Sequence, residues 1–192
     1  MKLTKEQVLD SFARTGGILK GHFLLTSGRH SDTYMQCAKL FIDPVEVVKL
    51  CGALSEKLKP LGADLIISPA VGGIIMGFEV ARQLAVKNIF AEREDGKMVL
   101  RRGFELGSNR VVVVEDVVTT GGSVKEILEL CKNAGCVCLA VASIVDRSNG
   151  KVDFGVPFVN LLSLEVVSYE ADDCPLCKAG IPVTKPGSRN LK

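Results

Sequence analysis

The apolar positions of this chain form alternating blocks with helical and extended spacing. Val47, Leu50, Cys51, Leu54 and Leu58 share one helical face, between the start signal Asp43-Pro44 and the stop signals Pro60 and Gly62. Four consecutive valines at 111–114 are typical of a strand buried on both faces of a parallel sheet. Such blocks alternate from residue 64 to residue 164. The pattern predicts an α/β fold with a doubly wound, mainly parallel sheet flanked by helices.

The first 42 residues follow a different pattern. Thr4 and Gln7 form a capping box ahead of an amphipathic helix that should end at Gly16-Gly17. Residues 18–42 then predict short strands and turns, including a turn at Ser27-Gly28. No linker, repeat or low-complexity stretch interrupts the chain, so residues 1–192 are predicted to form a single domain.

Composition narrows the class of protein. The chain has 192 residues, of which 47% are hydrophobic and 24% charged, with a formal net charge of +2. No apolar run approaches the roughly 20 residues that cross a bilayer, and no basic tract suggests a nucleic acid partner. The seven cysteines lie mostly in apolar segments. We expect a reduced, cytoplasmic protein that binds neither membrane nor nucleic acid.

The densest candidate chemistry follows the valine strand. The strand is predicted to stop at Glu115-Asp116, before a turn Thr119-Thr120-Gly121-Gly122-Ser123 that leads into a helix. Glycine N–H groups, hydroxyls and a helix N-terminus together suit a phosphate monoester. Carboxylates beside a phosphate make sense if they hold sugar hydroxyls or act through a divalent cation. The turn could also be a simple helix cap, but a cap does not need the acid pair.

This segment resembles the phosphoribosyl pyrophosphate (PRPP) loop of the type I phosphoribosyltransferases, and residues 68–73 resemble the pyrophosphate loop of the same family. The resemblance implies that Glu115 and Asp116 hold the ribose hydroxyls, near a Mg²⁺ held mainly by substrate, with Asp116 also counted as catalytic. Some relatives carry a lysine where this chain has Gly72. PRPP binding is thereby assigned to Val71, Gly72, Gly73, Glu115, Asp116, Val117, Val118, Thr119, Thr120, Gly121, Gly122 and Ser123.

The charged segment 92–103 has two interpretations. Its polar, glycine-bounded sequence alone favours a solvated hairpin. The family places a mobile catalytic loop here, which reaches across a dimer interface into the neighbouring site. The resemblance therefore implies a homodimer with shared active sites, in which Arg93 and Lys97 are catalytic.

Residues 21–34 look like the orotate-specific members of the family. In those members a hood, here about residues 1–42 plus part of the C-terminal segment, covers a core of about residues 43–170. Arg147 follows the fourth core strand, and a guanidinium suits the carboxylate of orotate, although a local ion pair with Asp146 is the ordinary alternative. Thr26 stands where relatives often have a lysine. The implied orotate-binding residues are Ser27, Gly28, Tyr34, Thr119 and Arg147.

The resemblance implies transfer of a phosphoribosyl group from PRPP to orotate. Two alternatives stay open at this point. One is a phosphoribosyltransferase for a purine base. The other is a regulator that binds PRPP without catalysis, which the lack of a helix-turn-helix extension and of a basic face disfavours.

Two further features have no assigned function. Cys174-Pro175-Leu176-Cys177 is a single C-x-x-C and lacks the second half of a zinc site, so ordinary thiols, a redox-labile disulfide and a metal at an oligomer contact all stay open. His22 and His30 are expected to be solvated or hydrogen-bonded loop histidines. The tail from Pro182 to Lys192 is expected to be mobile.

Overall fold

The structure, a computed structural model, describes residues 2–25, 27–165 and 167–186. Thr26 and the tail beyond Pro186, both named above, lie outside the described residues. The helices and strands, in chain order, are α1 (Lys5–Arg14), β1 (Ile18–Leu24), β2 (His30–Met35), α2 (Pro44–Leu58), β3 (Leu65–Pro69), α3 (Gly72–Leu84), β4 (Lys87–Glu94), β5 (Lys97–Leu100), β6 (Arg110–Val118), α4 (Gly122–Asn133), β7 (Val137–Asp146), β8 (Phe158–Ser163) and α5 (Pro175–Lys178). Short 3-10 turns cover Cys37–Ile42, Lys59–Leu61 and Ala171–Asp173.

The predicted α/β fold is confirmed. A six-stranded sheet has the order β5-β4-β3-β6-β7-β8, parallel except for β5. Side chains of the central strands alternate between two hydrophobic clusters. Ile66 and Val112 pack with α1, α2 and α3 on one face, whereas Ile67 and Val113 pack with α4 on the other.

Local signals place the first two helices. The Thr4–Gln7 capping box is present, since the Gln7 amide donates to Thr4 Oγ1 at 3.3 Å and the Thr4 amide donates to Gln7 Oε1 at 2.9 Å. Asp43 caps α2 by accepting from the Val45 amide at 2.9 Å. A capping side chain satisfies N–H groups that a helix leaves without partners.

Two boundaries differ from the sequence prediction. The valine strand β6 does not stop at the acid pair but continues to Val118. Helix α3 begins at Gly72, whereas the sequence pattern predicts a helical stretch from about Ile74. In both cases tertiary pairing or packing extends an element into residues of weak intrinsic propensity. The hairpin that the residues of segment 92–103 favour is present, since β4 and β5 pair antiparallel around Asp95 and Gly96.

The N-terminal hairpin is joined to the C-terminal segment. Strands β1 and β2 form a separate antiparallel sheet. Tyr169 pairs with His30 through hydrogen bonds of 2.8 and 2.9 Å, and the Thr184 amide donates to His22 O at 2.8 Å. The expectation of a mobile tail is therefore wrong for the part around Thr184, which a strand edge holds.

The two histidines are also placed differently from the prediction. His22 and His30 lie within β1 and β2 and are buried, so they are neither loop residues nor solvated.

No helix among the residues described is both long and apolar enough to cross a membrane.

Candidate active site

The acid pair lies in the last part of β6, at the carboxyl end of the parallel strands. Pairing with β7 continues through Glu115↔Ser143 and Val117↔Val145. Each carboxylate accepts from the next backbone amide: Glu115 Oε1 from Asp116 at 3.1 Å, and Asp116 Oδ1 from Val117 at 2.7 Å. The ladder to β7 is the reason that two acids remain in a strand. Ligands of doubly wound sheets bind at this edge.

Gly72, at the start of α3, lies directly against Asp116. A Cβ added at Gly72 would be 2.8 Å from Asp116 Oδ2, closer than van der Waals contact allows. A side chain at position 72 would therefore displace the carboxylate. The structure thus brings two segments together that the sequence placed in separate motifs, the 68–73 segment and the acid pair. It does so with backbone, not side chain, facing Asp116.

Asp116 is electrostatically unfavourable in the folded protein. Burial raises the pKa of its carboxyl above the ordinary value, and hydrogen bonding with the Glu115 side chain and the Val117 amide offsets this only in part. Burial has this effect because it penalises the charged form of an acid. A carboxylate held in this way is a candidate to receive hydroxyl donors or a cation from a ligand.

The helices that start at this edge lack side-chain caps. Helix α1 is capped by Thr4 and helix α2 by Asp43, but no side chain caps α3 at Val71 or α4 at Gly121. In α3 the Ile74 amide donates to Val71 O at 3.2 Å, which leaves the amides of Gly72 and Gly73, together with the first-turn amides of α4, for other acceptors. Gly72 lies against Asp116, and α4 begins four residues after the end of β6. Free amides at a helix N-terminus favour anions.

The turn before α4 requires a glycine. Gly121 has φ +74°, and a Cβ there would come within 2.8 Å of Val152 and 2.9 Å of Phe154. Thr119 and Thr120 are exposed on the same turn, next to the end of β6. The backbone thus bends sharply over apolar support and leaves hydroxyls and amides facing solvent. This is a compact cradle for a phosphate group.

Arg147 stands beside this cradle. Its amide donates to Val118 O at 2.8 Å, which ties the residue after β7 to the end of β6. Its guanidinium carbon lies 5.7 Å from the centroid of the Tyr34 ring, and its Nε is buried without a hydrogen-bond partner in the described part of the chain. Such an unsatisfied charged donor is costly unless a ligand accepts from it.

Asp146 is bound to Ser148 and not in the local ion pair that its position beside Arg147 suggested. Asp146 is buried, and its Oδ1 accepts from the Ser148 amide at 2.7 Å and from Ser148 Oγ at 2.6 Å. This local turn directs the carboxylate to Ser148 and leaves the guanidinium of Arg147 to the site.

Cys37 is a neighbour of the site that the sequence analysis missed. It is buried, and burial followed by the charge of Asp116 raises the pKa of its thiol. Burial also raises the pKa of Tyr34, while the charge of Arg147 opposes that shift. Cys37, Tyr34, Asp116 and Arg147 therefore share one electrostatic environment. The only sequence signal for Cys37 is its place just after β2, which is weak.

The remaining candidates lie farther away. Arg93 is bound to Glu126 of α4, with contacts of 2.7 and 3.2 Å, and Lys97 is exposed at the start of β5. Ser27 and Gly28 are exposed in the turn of the β1–β2 hairpin. Beyond that turn, the four residue steps of β2 from His30 to Tyr34 span about 13 Å of strand, at about 3.3 Å per residue. In this conformation the hairpins hold these residues at the periphery.

Comparisons with known proteins agree with this geometry. The family model of the phosphoribosyl transferase domain matches residues 46–171. An orotate phosphoribosyltransferase of Caldanaerobacter subterraneus subsp. tengcongensis is 56% identical over 98% of this chain and all of its own length. One of Thermotoga maritima is 53% identical over 93% of this chain and 96% of its own.

Solved structures show the same fold. The crystal structure of orotate phosphoribosyltransferase from Aeropyrum pernix has a TM-score of 0.71 and 25% identity, covering 82% of this chain and 94% of that one. An adenine phosphoribosyltransferase from Thermoanaerobacter pseudethanolicus has a TM-score of 0.61 at 18% identity, covering 69% of this chain and 88% of that one. At 18% identity the second likeness concerns the fold alone.

The sheet, the acid pair and the uncapped helix starts thus define a phosphoribosyltransferase. At the level of its relatives, the chain belongs to the orotate phosphoribosyltransferase family.

The half-buried carboxylate of Asp116 predicts a gain in stability when it is neutralised. Because the folded-state pKa of Asp116 is raised, the native protein binds that proton more tightly than the unfolded chain does. Stability is therefore lost as pH rises from the ordinary value of 3.8 through the folded-state pKa. Asp116→Asn should raise Tm of the ligand-free protein at neutral pH, by about 2–4 °C for each kcal/mol gained. Differential scanning calorimetry between acid and neutral pH measures both effects.

Asp43→Asn is the matched control, because asparagine and aspartate cap helices about equally well. Its Tm should stay close to that of the wild type. A lower Tm for Asp116→Asn than for Asp43→Asn at neutral pH would contradict the assignment of strain to Asp116.

Proposed function

We propose that this protein transfers the 5-phosphoribosyl group of PRPP to N1 of orotate, releasing pyrophosphate and forming orotidine 5′-phosphate. The C1′–O bond to pyrophosphate breaks as the N1–C1′ bond forms, and the proton of orotate N1 leaves with the pyrophosphate. The observation that carries this proposal is the approach of Gly72 to Asp116, which brings one uncapped helix start against the acid pair, while a second uncapped helix begins four residues after β6. The orotate relatives, identical at more than half of their positions, support the choice of base.

The proposed donor site has a phosphate end and a pyrophosphate end. The 5′-phosphate would bind in the turn of Thr119, Thr120, Gly121, Gly122 and Ser123, supported by Val117 and Val118 at the end of β6. The pyrophosphate would lie at Val71, Gly72 and Gly73, on the free amides that begin α3. Between them, Glu115 and Asp116 would hold the ribose 2′- and 3′-hydroxyls. All of these contacts orient C1′ and need no covalent enzyme intermediate.

Mg²⁺ is the cation we propose for this site. Two adjacent carboxylates offer the hard oxygen ligands that Mg²⁺ prefers, and desolvation raises the pKa of Asp116, so a nearby cation would favour its charged form. Held mainly by substrate oxygens near Glu115 and Asp116, the ion would neutralise charge on the pyrophosphate as it leaves. Glu115 and Asp116 would hold the ribose in position.

Orotate would bind between Arg147 and Tyr34. The guanidinium can donate two parallel hydrogen bonds to a carboxylate, and its Nε has no partner among the described residues. Tyr34 would cover the ring, and Thr119 would lie at the junction of base and sugar. We further propose that the β1–β2 hairpin, with Ser27 and Gly28 in its turn, forms a hood together with the C-terminal segment that pairs with it.

The β4–β5 hairpin would supply positive charge to the pyrophosphate. Arg93 would exchange Glu126 for the leaving group, and Lys97 would reach it when the hairpin moves. Closure over the donor also excludes water that could hydrolyse it.

We propose that the hairpin acts across a homodimer. Helices α2 and α3 pack on one another, and each carries exposed apolar side chains; Val45 is 74% exposed and Phe78 is 61% exposed. A second copy of the chain is the partner we assign to this face, since large exposed apolar groups favour association. The seven free cysteines suit a reducing compartment, and we place the protein in the cytoplasm.

The direct test is pyrophosphate release from PRPP with orotate, uracil, hypoxanthine or adenine offered separately, with and without Mg²⁺. Orotate with Mg²⁺ should give by far the highest kcat/KM. A preference for hypoxanthine or adenine would replace orotate by a purine. PRPP binding with no release for any base would remove the enzymatic proposal.

Arg147→Ala should affect the base and not the sugar donor. Loss of a charge-assisted pair costs about 2–3 kcal/mol, so kcat/KM for orotate should fall roughly a hundredfold. The KM for PRPP should change little. Steady-state kinetics with each substrate varied in turn measure both. Arg147→Lys keeps the charge but loses the bidentate fork, so its kcat/KM for orotate should lie between those of the wild type and Arg147→Ala.

Arg110→Lys is the control for this series, because Arg110 lies at the opposite end of β6 and donates to Leu61 O. It should retain wild-type kinetics. Equal losses toward orotate and PRPP in Arg147→Ala would point to a general structural role and contradict base recognition.

Lys97→Ala should lower kcat about a hundredfold, the usual cost of removing one transition-state donor, with Tm unchanged. Lys87→Ala, an exposed lysine at the other end of β4, is the control. Mixing Lys97→Ala with Asp116→Asn tests the shared site. If hairpin and acid pair come from different subunits, half of the molecules carry one intact site of two, which restores about a quarter of wild-type activity. No restoration, in a mixture shown to exchange subunits, would place both groups in one subunit.

A further inference from the structure

Two histidines and two cysteines from opposite ends of the chain meet beside the N-terminal hairpin. His22 lies in β1 and His30 in β2. Cys174 directly precedes α5, and Cys177 lies within it. One nitrogen or sulfur atom from each lies within 4.8 Å of all the others. The single C-x-x-C therefore has the second half that the sequence analysis did not find, because it comes from residues about 150 positions away.

The distances fit a tetrahedral ion. Sulfur-to-nitrogen separations are 3.6 Å (Cys174 to His22), 3.7 Å (Cys177 to His22) and 3.3 Å (Cys177 to His30). Zinc bonds of about 2.3 Å to sulfur and 2.0–2.1 Å to nitrogen predict about 3.6 Å for such an edge. The two imidazole nitrogens are 2.8 Å apart, against about 3.3 Å for a nitrogen–nitrogen edge. A small rotation of the two rings supplies the difference.

The outer contact of His22 sets its tautomer. His22 Nδ1 is 2.7 Å from the carbonyl oxygen of Ile181. Because a carbonyl can only accept, Nδ1 carries the proton and donates it, and the neutral ring presents the Nε2 lone pair to the cluster. Metal-bound histidines are commonly oriented by this kind of second hydrogen bond.

Burial makes three of the four groups costly without a common partner. His22, His30 and Cys174 are buried, while Cys177 is exposed and gives access from solvent. A proton on His30 Nδ1 would satisfy His22 Nε2, but thiols are weak hydrogen-bond partners for the same nitrogens. One cation accepts lone pairs from all four groups at once.

We propose that His22, His30, Cys174 and Cys177 form a structural Zn²⁺ site. Two thiolates and two imidazoles in tetrahedral arrangement are ligands typical of zinc, and four protein ligands leave no open position for catalysis. Binding deprotonates both thiols, so the free protein releases up to two protons as the two Zn–S and two Zn–N bonds form.

The site would fasten the C-terminal segment to the hairpin. That segment already pairs with both edges of the hairpin, through Tyr169 and Thr184. Between these contacts lies α5 with its cysteines. A metal here would lock the hairpin that carries Tyr34, at a position separate from the acid pair and its Mg²⁺. The zinc proposal thus does not depend on the proposed activity.

Metal analysis of the full-length, untagged protein tests the proposal. Purified with a thiol reductant and without chelator, the wild type should hold about one zinc per chain. Cys177→Ser, the least buried change in the cluster, should lower zinc affinity at least tenfold. Cys136→Ser is the matched control: Cys136 is half-buried outside the cluster, and a serine can keep its bond to Cys131 O. It should bind zinc like the wild type.

Two further measurements do not depend on a variant folding. Replacement of zinc by Co²⁺ should give the visible bands of a tetrahedral ion and a thiolate-to-metal band in the near ultraviolet. Removing the metal with a chelator should lower Tm, and Zn²⁺ but not Mg²⁺ should restore it. Substoichiometric zinc after adding ZnCl₂ to reduced protein, an octahedral cobalt spectrum, or equal zinc loss in Cys136→Ser would each overturn the site. A Cys174–Cys177 disulfide that persists under the reductant would also overturn it.

Discussion

The approach of Gly72 to Asp116 is the contact on which the site geometry depends. It requires that residue 72 have no side chain and that β6 carry its acids within the part of the strand that pairs with β7. Once both conditions hold, the amides that begin α3 lie against the carboxylates, and α4 begins four residues after the strand that carries them. Charges of both signs then face a small volume, where a sugar carrying anionic groups can satisfy them together.

This arrangement is costly to the folded protein. The two helices that start at the site lack the side-chain caps that α1 and α2 have, and Asp116 is a half-buried acid with a raised pKa. Among the residues described, Arg147 Nε has no hydrogen-bond partner. If ligand groups bind at these positions as proposed, they offset these costs, and the stability that the protein forgoes becomes selectivity for ligand. Local sequence rules fail at such places because the residues are chosen for a partner that is not part of the chain.

Much of the fold follows from the sequence because its signals are local. The capping box at Thr4, the Asp43-Pro44 start and the valines of β6 each act within a few residues. The predicted end of β6 is wrong because pairing with β7, which is not a local signal, holds Glu115 and Asp116 extended. The His–Cys cluster could not be found for the same reason, since only the packing of the C-terminal segment on β1 and β2 makes neighbours of residues so distant in sequence. The sequence singles out Arg147 as a candidate for base binding, but only the structure shows that its Nε lacks a hydrogen-bond partner among the described residues.

The ion pair between Arg93 and Glu126 sets how easily the Arg93 side chain is released. Both side chains are more than one-third exposed, and pairs of this kind contribute about 1 kcal/mol or less. If Arg93 serves the leaving group as proposed, a pair of that strength leaves its guanidinium detached from Glu126 in at least roughly one molecule in six before any substrate arrives. The backbone of the β4–β5 hairpin is held more firmly, because Glu126 also accepts from the Met98 amide at 2.8 Å and Met98 is buried with α4. Exchange of the Arg93 side chain is therefore easier than movement of the whole hairpin, whereas a buried ion pair would have added its full cost to every binding event.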